Sequence, residues 1–222
     1  MSNQDSSNTT KKSTVYVALI TALAIIIGSV ILGLGGQTTP QEPAPEAAPA
    51  VELPNAGITE SNKASITFTT NQGEIVIETT PAVAPLTVNA IAALAQKNYF
   101  DNTICHRLTT AGIYVLQCGD PTGTGTGGPG FNIPDENLPQ PTENNYPAGT
   151  VAMANAGPGT SGSQFFLVYQ DTTLGPDYTI WGSVTSGLDI LQTIASAGVV
   201  DGGTDGAPLT GVTIESTKVT IS

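Results

Sequence analysis

Apolar and polar positions alternate along much of the chain, which is the pattern of half-buried β-strands. The segments SITFTT and EIVIETT, which begin at Ser65 and Glu74, alternate on either side of a short Asn-Gln-Gly sequence. They predict two antiparallel strands, and Gly73 supplies the positive φ that the hairpin turn needs. We therefore expect the folded domain to begin here and to occupy residues 63–222.

Two stretches of helical spacing interrupt this alternation. Pro85 suits the first turn of a helix, and Val88, Ile91 and Leu94 follow at helical intervals. A second helix is predicted at about 188–196. Further strands are predicted in the segments TICHRL, GIYVLQC, TVAMAN, SQFFLVY, YTIWGSV and VTIESTKVTIS.

Many short strands with two isolated helices predict a mainly β fold. An open sheet leaves unpaired backbone groups on its edge strands, and closing the sheet removes those edges. We therefore expect a closed eight-stranded antiparallel β-barrel with two capping helices.

A long apolar run precedes this domain. Residues 15–34 carry no charge, and about 20 residues at 1.5 Å each cross a hydrocarbon core of about 30 Å. The run predicts one transmembrane helix. A cleaved signal peptide is the alternative, although the run is longer than the roughly 7 to 15 apolar residues of such a peptide.

The flanks of the apolar run predict its orientation. Lys11 and Lys12 precede it and the next basic residue is Lys63, so the polar tail 1–14 is expected in the cytoplasm. Residues 35–62 are rich in proline and alanine and are predicted to form an extended linker. We expect a single-pass protein of the cell membrane with an extracytoplasmic domain.

Composition excludes several classes of partner. The chain has 18 acidic residues against 6 basic ones, so phosphate backbones would be repelled and nucleic acid is not an expected partner. His106 is the one histidine, so a zinc site with several histidines cannot form within one chain. We expect no metal and no cofactor, and we expect a monomer.

Two glycine-rich segments are predicted to be loops. The sequence GTGTGG at 123–128 is followed by Pro129 and Gly130 instead of a helix, so it is not a dinucleotide-binding motif. The sequence DGGTDG at 201–206 has Gly203 at the third ligand position of a calcium loop, so a tight turn is predicted there.

Two segments, FDNTICHRLTTAGIYVLQCGDPTGTGTGGPGF at 100–131 and MANAGPGTSGSQFFLVY at 153–169, closely resemble the cyclophilin family of peptidyl-prolyl isomerases. The resemblance covers about 65–222 and leaves the apolar run and the linker outside. Together with the apolar run before it, the resemblance implies a cyclophilin in a bacterial, membrane-anchored form. Such a rotamase would accelerate X-Pro isomerisation in proline-containing polypeptides as extracytoplasmic proteins fold.

The resemblance also implies the residues of the site. Arg107 and Gln117 match the catalytic positions of the family. The positions matching its substrate pocket are Tyr114, Val115, Met153, Ala154, Asn155, Gln164, Phe166, Leu174 and Tyr178.

Val115 replaces a methionine of the family pattern, and three further positions also depart from that pattern. Cys105 replaces an aromatic residue, Tyr178 replaces a histidine found in many members, and Thr173 replaces a tryptophan that matters for cyclosporin binding, so drug sensitivity stays open. Cys105 and Cys118 lie on the two strands that flank the turn after Arg107, so they are either a cross-strand disulfide or two free thiols.

The chemistry of prolyl isomerisation suits an arginine. Rotation about the amide costs about 18 to 20 kcal/mol because resonance gives the C–N bond double-bond character. The planar, charged guanidinium of Arg107 can donate to the twisted imide and stabilise it more than the ground state. The alternative is a non-catalytic proline-peptide binding module at the cell surface, but such a module needs only the apolar pocket and has no use for Arg107 and Gln117.

Overall fold

A computed structural model describes residues 52–222 of the chain. The predicted polar tail, the predicted transmembrane segment 15–34 and most of the predicted linker lie outside the described residues. Within 52–222, no helix has the length and apolar character needed to span a bilayer.

The described region contains ten strands and two helices. In chain order these are β1 (Ala64–Thr70), β2 (Gly73–Thr79), α1 (Pro85–Gln96), β3 (Thr103–Ile104), β4 (Arg107–Thr109), β5 (Val115–Cys118), β6 (Thr150–Met153), β7 (Phe165–Val168), β8 (Ile180–Ser186), α2 (Leu188–Ala197), β9 (Asp205–Gly206) and β10 (Thr213–Ile221). The mainly β character and the two helices are confirmed.

The prediction of a closed eight-stranded barrel is wrong. All ten strands form one antiparallel sheet in the order β3-β10-β1-β2-β8-β6-β7-β5-β4-β9, so β3 and β9 are its free ends and the sheet is an open half-barrel. Each end strand has only two residues. Very short edge strands expose few unpaired backbone groups, so the sheet avoids a long open edge without closing.

The first hairpin follows from the alternation of its residues. Apolar positions of β1 are buried and the residues between them are half-buried, as a strand with one face on the core requires. Thr70 pairs with Gly73, which has a φ of 129°. That conformation favours glycine, so the turn and the register of the hairpin are set together.

Helix α1 packs on the sheet through Val88 and Ile91, which are fully buried. Its N-terminus has no capping side chain of its own. Glu136, from a distant loop, accepts hydrogen bonds from the backbone N–H groups of Leu86 at 3.0 Å and Thr87 at 2.8 Å. The carboxylate therefore caps the positive end of the helix and holds that loop against the domain.

The last part of the segment predicted as linker lies against α1. Ile58 is buried, and its backbone N–H donates to Asn89 Oδ1 at 2.9 Å while its carbonyl accepts from Asn89 Nδ2 at 2.8 Å. Leu53 and Ala56 also pack on the core. The chain therefore contacts the domain before β1 begins.

Candidate active site

Arg107 and Gln117 face each other on adjacent strands, because β4 and β5 pair antiparallel with these two residues in register. Arg107 Nη1 donates to Gln117 Oε1 at 3.3 Å. Gln117 Nε2 in turn donates to Gln164 Oε1 at 2.8 Å. The strand register thus joins polar side chains of β4 and β5, and Gln164 directly before β7, into one network.

Asp205 makes the closest contacts to Arg107. Its carboxylate accepts from Arg107 Nε and from Arg107 Nη2, each at 2.7 Å, in a two-pronged ion pair. The hydrogen bond with Asp205 raises the pKa of Arg107 above its ordinary value, and the same bond lowers the pKa of Asp205. Both groups are charged at neutral pH.

Sequence reasoning missed Asp205, because its segment looked like an isolated tight turn. In the structure Asp205 lies on the edge strand β9, which pairs with β4 so that Thr109 faces Asp205. Only this long-range strand pairing brings the carboxylate to the arginine, and a two-residue strand has no alternation that could have predicted it.

A small pocket of about 200 Å³ opens beside Arg107. Its walls combine apolar side chains with the polar groups of Arg107, Gln117 and Asn155. The lining residues are Arg107, Ile113, Val115, Gln117, Ala154, Asn155, Phe166, Leu174 and Tyr178. Apolar side chains and precisely placed polar groups that share one concave pocket are the usual form of a ligand site.

Tyr114 and Met153, both predicted to form the pocket wall, do not line it. Met153 is fully buried in the main core, and the Tyr114 ring packs on Tyr169 with centroids 6.0 Å apart. Successive side chains of a strand point to opposite faces, so Ile113 and Val115 face the pocket while Tyr114 between them faces away. Ile113 is therefore a pocket residue that the motif did not indicate.

Tyr146, which the sequence did not indicate, supports the backbone of the loop at the pocket rim. It is fully buried, and its hydroxyl lies 3.2 Å from the carbonyl oxygens of Gly175 and Tyr178 and accepts from the Tyr178 N–H at 3.1 Å. Burial raises the pKa of Tyr146 to about 12, so the hydroxyl keeps its proton. Its ring also approaches Phe166 at 6.0 Å. Tyr146 thereby fixes the loop that carries Leu174 and Tyr178.

A second, larger groove of about 710 Å³ adjoins the pocket and shares Gln117, Ala154 and Asn155 with it. One wall is formed by residues 125–130, which include most of the glycine-rich loop 123–128. Gln164, predicted as a substrate-binding residue, lines this groove instead of the small pocket, and its Nε2 donates to the carbonyls of Gly125 and Gly127 at 3.0 and 2.9 Å. The loop is therefore held in place by the polar network of the site.

Asp120 organises the same loop from inside. It is fully buried and accepts hydrogen bonds from the N–H groups of Thr122 at 2.7 Å, Gly125 at 2.6 Å and Gly127 at 3.0 Å. Burial by itself would raise the pKa of Asp120, but these hydrogen bonds outweigh it and lower the pKa well below the usual range. A side chain at Gly127 would strike Asp120, so the loop needs glycine there.

Replacing Asp120 by asparagine should make the domain less stable at pH 7, by about 1 to 3 kcal/mol, since one acceptor oxygen becomes an NH2 group that faces loop N–H donors. Because the folded pKa is depressed, the carboxylate stabilises the fold above the usual pKa of about 3.9 and ceases to do so as the pH falls through the folded value. Urea unfolding should show a smaller difference in the free energy of unfolding between wild type and Asp120→Asn at pH 3 than at pH 7. Asp201→Asn, at an exposed carboxylate, is the control; an equal gap at both pH values would contradict this account.

Cys105 and Cys118 are joined in a disulfide. Both are buried. Cys105 directly precedes His106, and Cys118 directly follows Gln117. The bond therefore ties the chain just before β4 to the end of β5, next to Arg107 and Gln117. Within residues 52–222, no three His, Cys, Asp or Glu residues are grouped so that they could hold a metal ion.

Residues 65–219 match the family model of the cyclophilin type peptidyl-prolyl cis-trans isomerases. Among named proteins, the chain is 45% identical to a probable peptidyl-prolyl cis-trans isomerase B of Mycobacterium leprae, over 85% of this chain and 68% of that protein. It is 47% identical to the corresponding protein of Mycobacterium tuberculosis, over 78% of this chain and 61% of the relative. The chain thus spans about two thirds of the length of these relatives.

Solved structures agree with this. A crystal structure of a Cryptosporidium parvum cyclophilin type peptidyl-prolyl cis-trans isomerase has a TM-score of 0.62 and 29% identity, over 72% of this chain and 98% of that one. A structure of the same protein in the presence of the dipeptide Ala-Pro has a TM-score of 0.61 and 30% identity, over 70% and 98%. The chain belongs to the cyclophilin family. Its domain over 65–219 is a peptidyl-prolyl cis-trans isomerase of the cyclophilin type.

Proposed function

We propose that the protein accelerates X-Pro isomerisation during the folding of extracytoplasmic polypeptides, with Arg107 as the catalytic residue. The observation that carries this proposal is the position of Arg107 at the wall of a pocket of about 200 Å³, beside the apolar side chains of Phe166 and Leu174. Gln117 lies beside it at 3.3 Å and orients the guanidinium or the substrate.

The reaction breaks no bond, so the site needs neither a nucleophile nor a proton acceptor. It needs a grip on the proline ring and a donor for the twisted imide. Val115, Phe166 and Leu174 supply the apolar surface for the ring. In the folded chain, Asp205 and Gln117 occupy three of the five N–H bonds of the Arg107 guanidinium. The other two are left to donate to the prolyl carbonyl and to the developing lone pair on nitrogen, and these bonds strengthen as the amide twists.

The peptide backbone is proposed to lie along Ala154 and Asn155, as an added strand would. Asn155 is fixed for this role, since its Nδ2 donates to the carbonyl of Asp177 at 2.8 Å and its Oδ1 accepts from the Gly157 N–H at 3.2 Å. The Ala-Pro dipeptide present with the Cryptosporidium relative supports a ligand of the same X-Pro class here. We also propose that the enzyme acts as a monomer.

We propose an extracytoplasmic location, with the protein attached to the cell membrane through residues 15–34 and its N-terminus in the cytoplasm. The uncharged run and the lysines before it support this, as does the Cys105–Cys118 disulfide, because such bonds persist in oxidising compartments. Alkylation of the two cysteines in freshly lysed cells tests the location. Free thiols at both positions would place the domain in a reducing compartment.

The pocket assignment predicts a binding defect in Leu174→Ala. The leucine is half-buried in the pocket wall, so its truncation should remove on the order of 1 kcal/mol of apolar contact with the proline ring. The affinity for an Ala-Pro peptide should fall roughly fivefold. The measurement is exchange NMR of the peptide with the full-length protein, which separates binding from the rate of cis-trans exchange.

The matched control is Leu209→Ala, which truncates a leucine 58% exposed and outside the pocket and should leave affinity and exchange rate unchanged. Equal affinity of Leu174→Ala and the wild type would place the proline ring elsewhere. Wild-type protein that binds the peptide without accelerating its exchange would be the proline-peptide binding module and not an enzyme.

A further inference from the structure

The ion pair between Arg107 and Asp205 indicates a further functional residue. We infer that Asp205 is a positioning residue for the isomerisation, which holds the Arg107 guanidinium in the orientation that presents its free N–H groups to the prolyl amide. This inference rests on the proposed catalytic role of Arg107 and adds a residue that the family motif does not contain.

The geometry of the ion pair indicates that Asp205 positions the Arg107 guanidinium and does not block its approach to the substrate. Asp205 engages the Nε and Nη2 edge of the guanidinium at 2.7 Å on both atoms. Nη1 points the other way, toward Gln117 at 3.3 Å. Arg107 lines the pocket and Asp205 does not, so the carboxylate lies on the far side of the arginine from the substrate.

Asp205 is itself held in place by the backbone. Its strand β9 pairs with β4 through the Thr109–Asp205 and Leu108–Gly206 positions, and the Thr110 N–H donates to the Thr204 carbonyl at 2.8 Å. The carboxylate is therefore attached to the same two-strand unit that carries Arg107. The distance between the two side chains is set by strand pairing and not by a free loop.

Arginine needs such a partner here. The Arg107 side chain is 39% exposed, and the flexible stem of an arginine allows many rotamers at that exposure. A two-pronged carboxylate fixes the plane of the guanidinium as well as its position, which a single contact such as that from Gln117 cannot do. Catalysis by a fixed charge depends on this preorganisation, because a donor that must reorient during the reaction stabilises the transition state less.

The test compares Asp205→Ala with wild type in the full-length protein, by exchange NMR of an Ala-Pro peptide at several concentrations. We expect kcat to fall about tenfold with little change in KM, because the pocket that binds the proline ring is intact. Asp205→Asn keeps the size of the side chain but has one acceptor oxygen instead of two, so its kcat should be intermediate. Asp201→Ala, at an exposed carboxylate of the same loop, is the matched control and should match wild type.

A spectroscopic measurement separates positioning from a general loss of structure. In the wild type the Arg107 Nε–H should give a resolved, slowly exchanging NMR signal because Asp205 accepts from it. The signal should be lost in Asp205→Ala while the backbone amide spectrum of the remaining domain is retained.

Unchanged kcat in both Asp205 variants would overturn the inference, and a raised kcat would show that the carboxylate competes with substrate for the guanidinium. Arg107→Ala is the reference for the underlying function. If Arg107→Ala is inactive while the Asp205 variants match wild type, only the positioning role fails. If Arg107→Ala keeps wild-type kcat, the proposed catalytic role fails instead.

Discussion

Arg107→Ala should lower kcat for X-Pro isomerisation by about a hundredfold or more, since removal of one preorganised donor from an active site typically costs that much. The pocket that holds the proline ring remains, so KM should change far less than kcat. Arg107 is partly exposed on a short strand near the sheet edge, so the variant should fold. Exchange NMR or a protease-coupled assay on a cis-enriched peptide measures the loss.

Arg107→Lys should be nearly as impaired as Arg107→Ala, although it keeps the positive charge. Lysine is a point charge on a flexible stem and cannot grip Asp205 with two parallel bonds while donating into the pocket. Lys97→Ala removes one exposed positive charge outside the pocket and is the control for the charge that Arg107→Ala removes. Wild-type turnover in Arg107→Lys would show that charge alone suffices and that the fork geometry is irrelevant.

Replacing both Cys105 and Cys118 by alanine should lower the free energy of unfolding by about 3 kcal/mol, the usual effect of opening a loop of this size. The two residues are 13 positions apart, and the bond restricts the unfolded chain over that loop. For a domain of this length the melting temperature should fall by roughly 6 to 12 °C. Thermal unfolding of the full-length protein in the absence of reductant measures the change.

Reductant separates the lost bond from lost packing. It should lower the melting temperature of the wild type toward that of the double alanine variant, and it should leave the variant unchanged. Both cysteines are buried, so reduction of the native wild type should be slow until the domain opens. Identical melting temperatures for the wild type with and without reductant would mean that the bond does not stabilise the folded domain.

The limits of sequence reasoning are clearest at the pocket. The motifs around Arg107 and Gln117 indicated the polar side of the site, and Val115, Phe166 and Leu174 do line the pocket. The same motifs assigned Tyr114 to the wall, but in the chain that leads into β5 its ring points away from the pocket and packs on Tyr169. A motif records which residues recur together and not the direction in which each side chain leaves the strand.

Asp205 and Tyr146, which support the site, could not be predicted from the sequence for a different reason. Asp205 lies 98 positions from Arg107, and Tyr146 lies 32 positions from Tyr178. Neither pair forms a local pattern, because each depends on which segments the folded sheet places side by side. The prediction of a closed barrel was wrong for a similar reason, since the alternation of residues did not show that the edge strands β3 and β9 are only two residues long.

The sequence identified Arg107, and the tertiary structure showed what holds its side chain in place. The sequence by itself determined the mainly β character, the two helices, the family and the arginine, because strand alternation, helical spacing and signature motifs are local properties of a chain. Only the tertiary structure decided that the sheet stays open, that Ile113 enters the pocket and that Asp205 grips the guanidinium. Those facts depend on pairing between distant strands, and the free energy of such pairing is not encoded in any single segment.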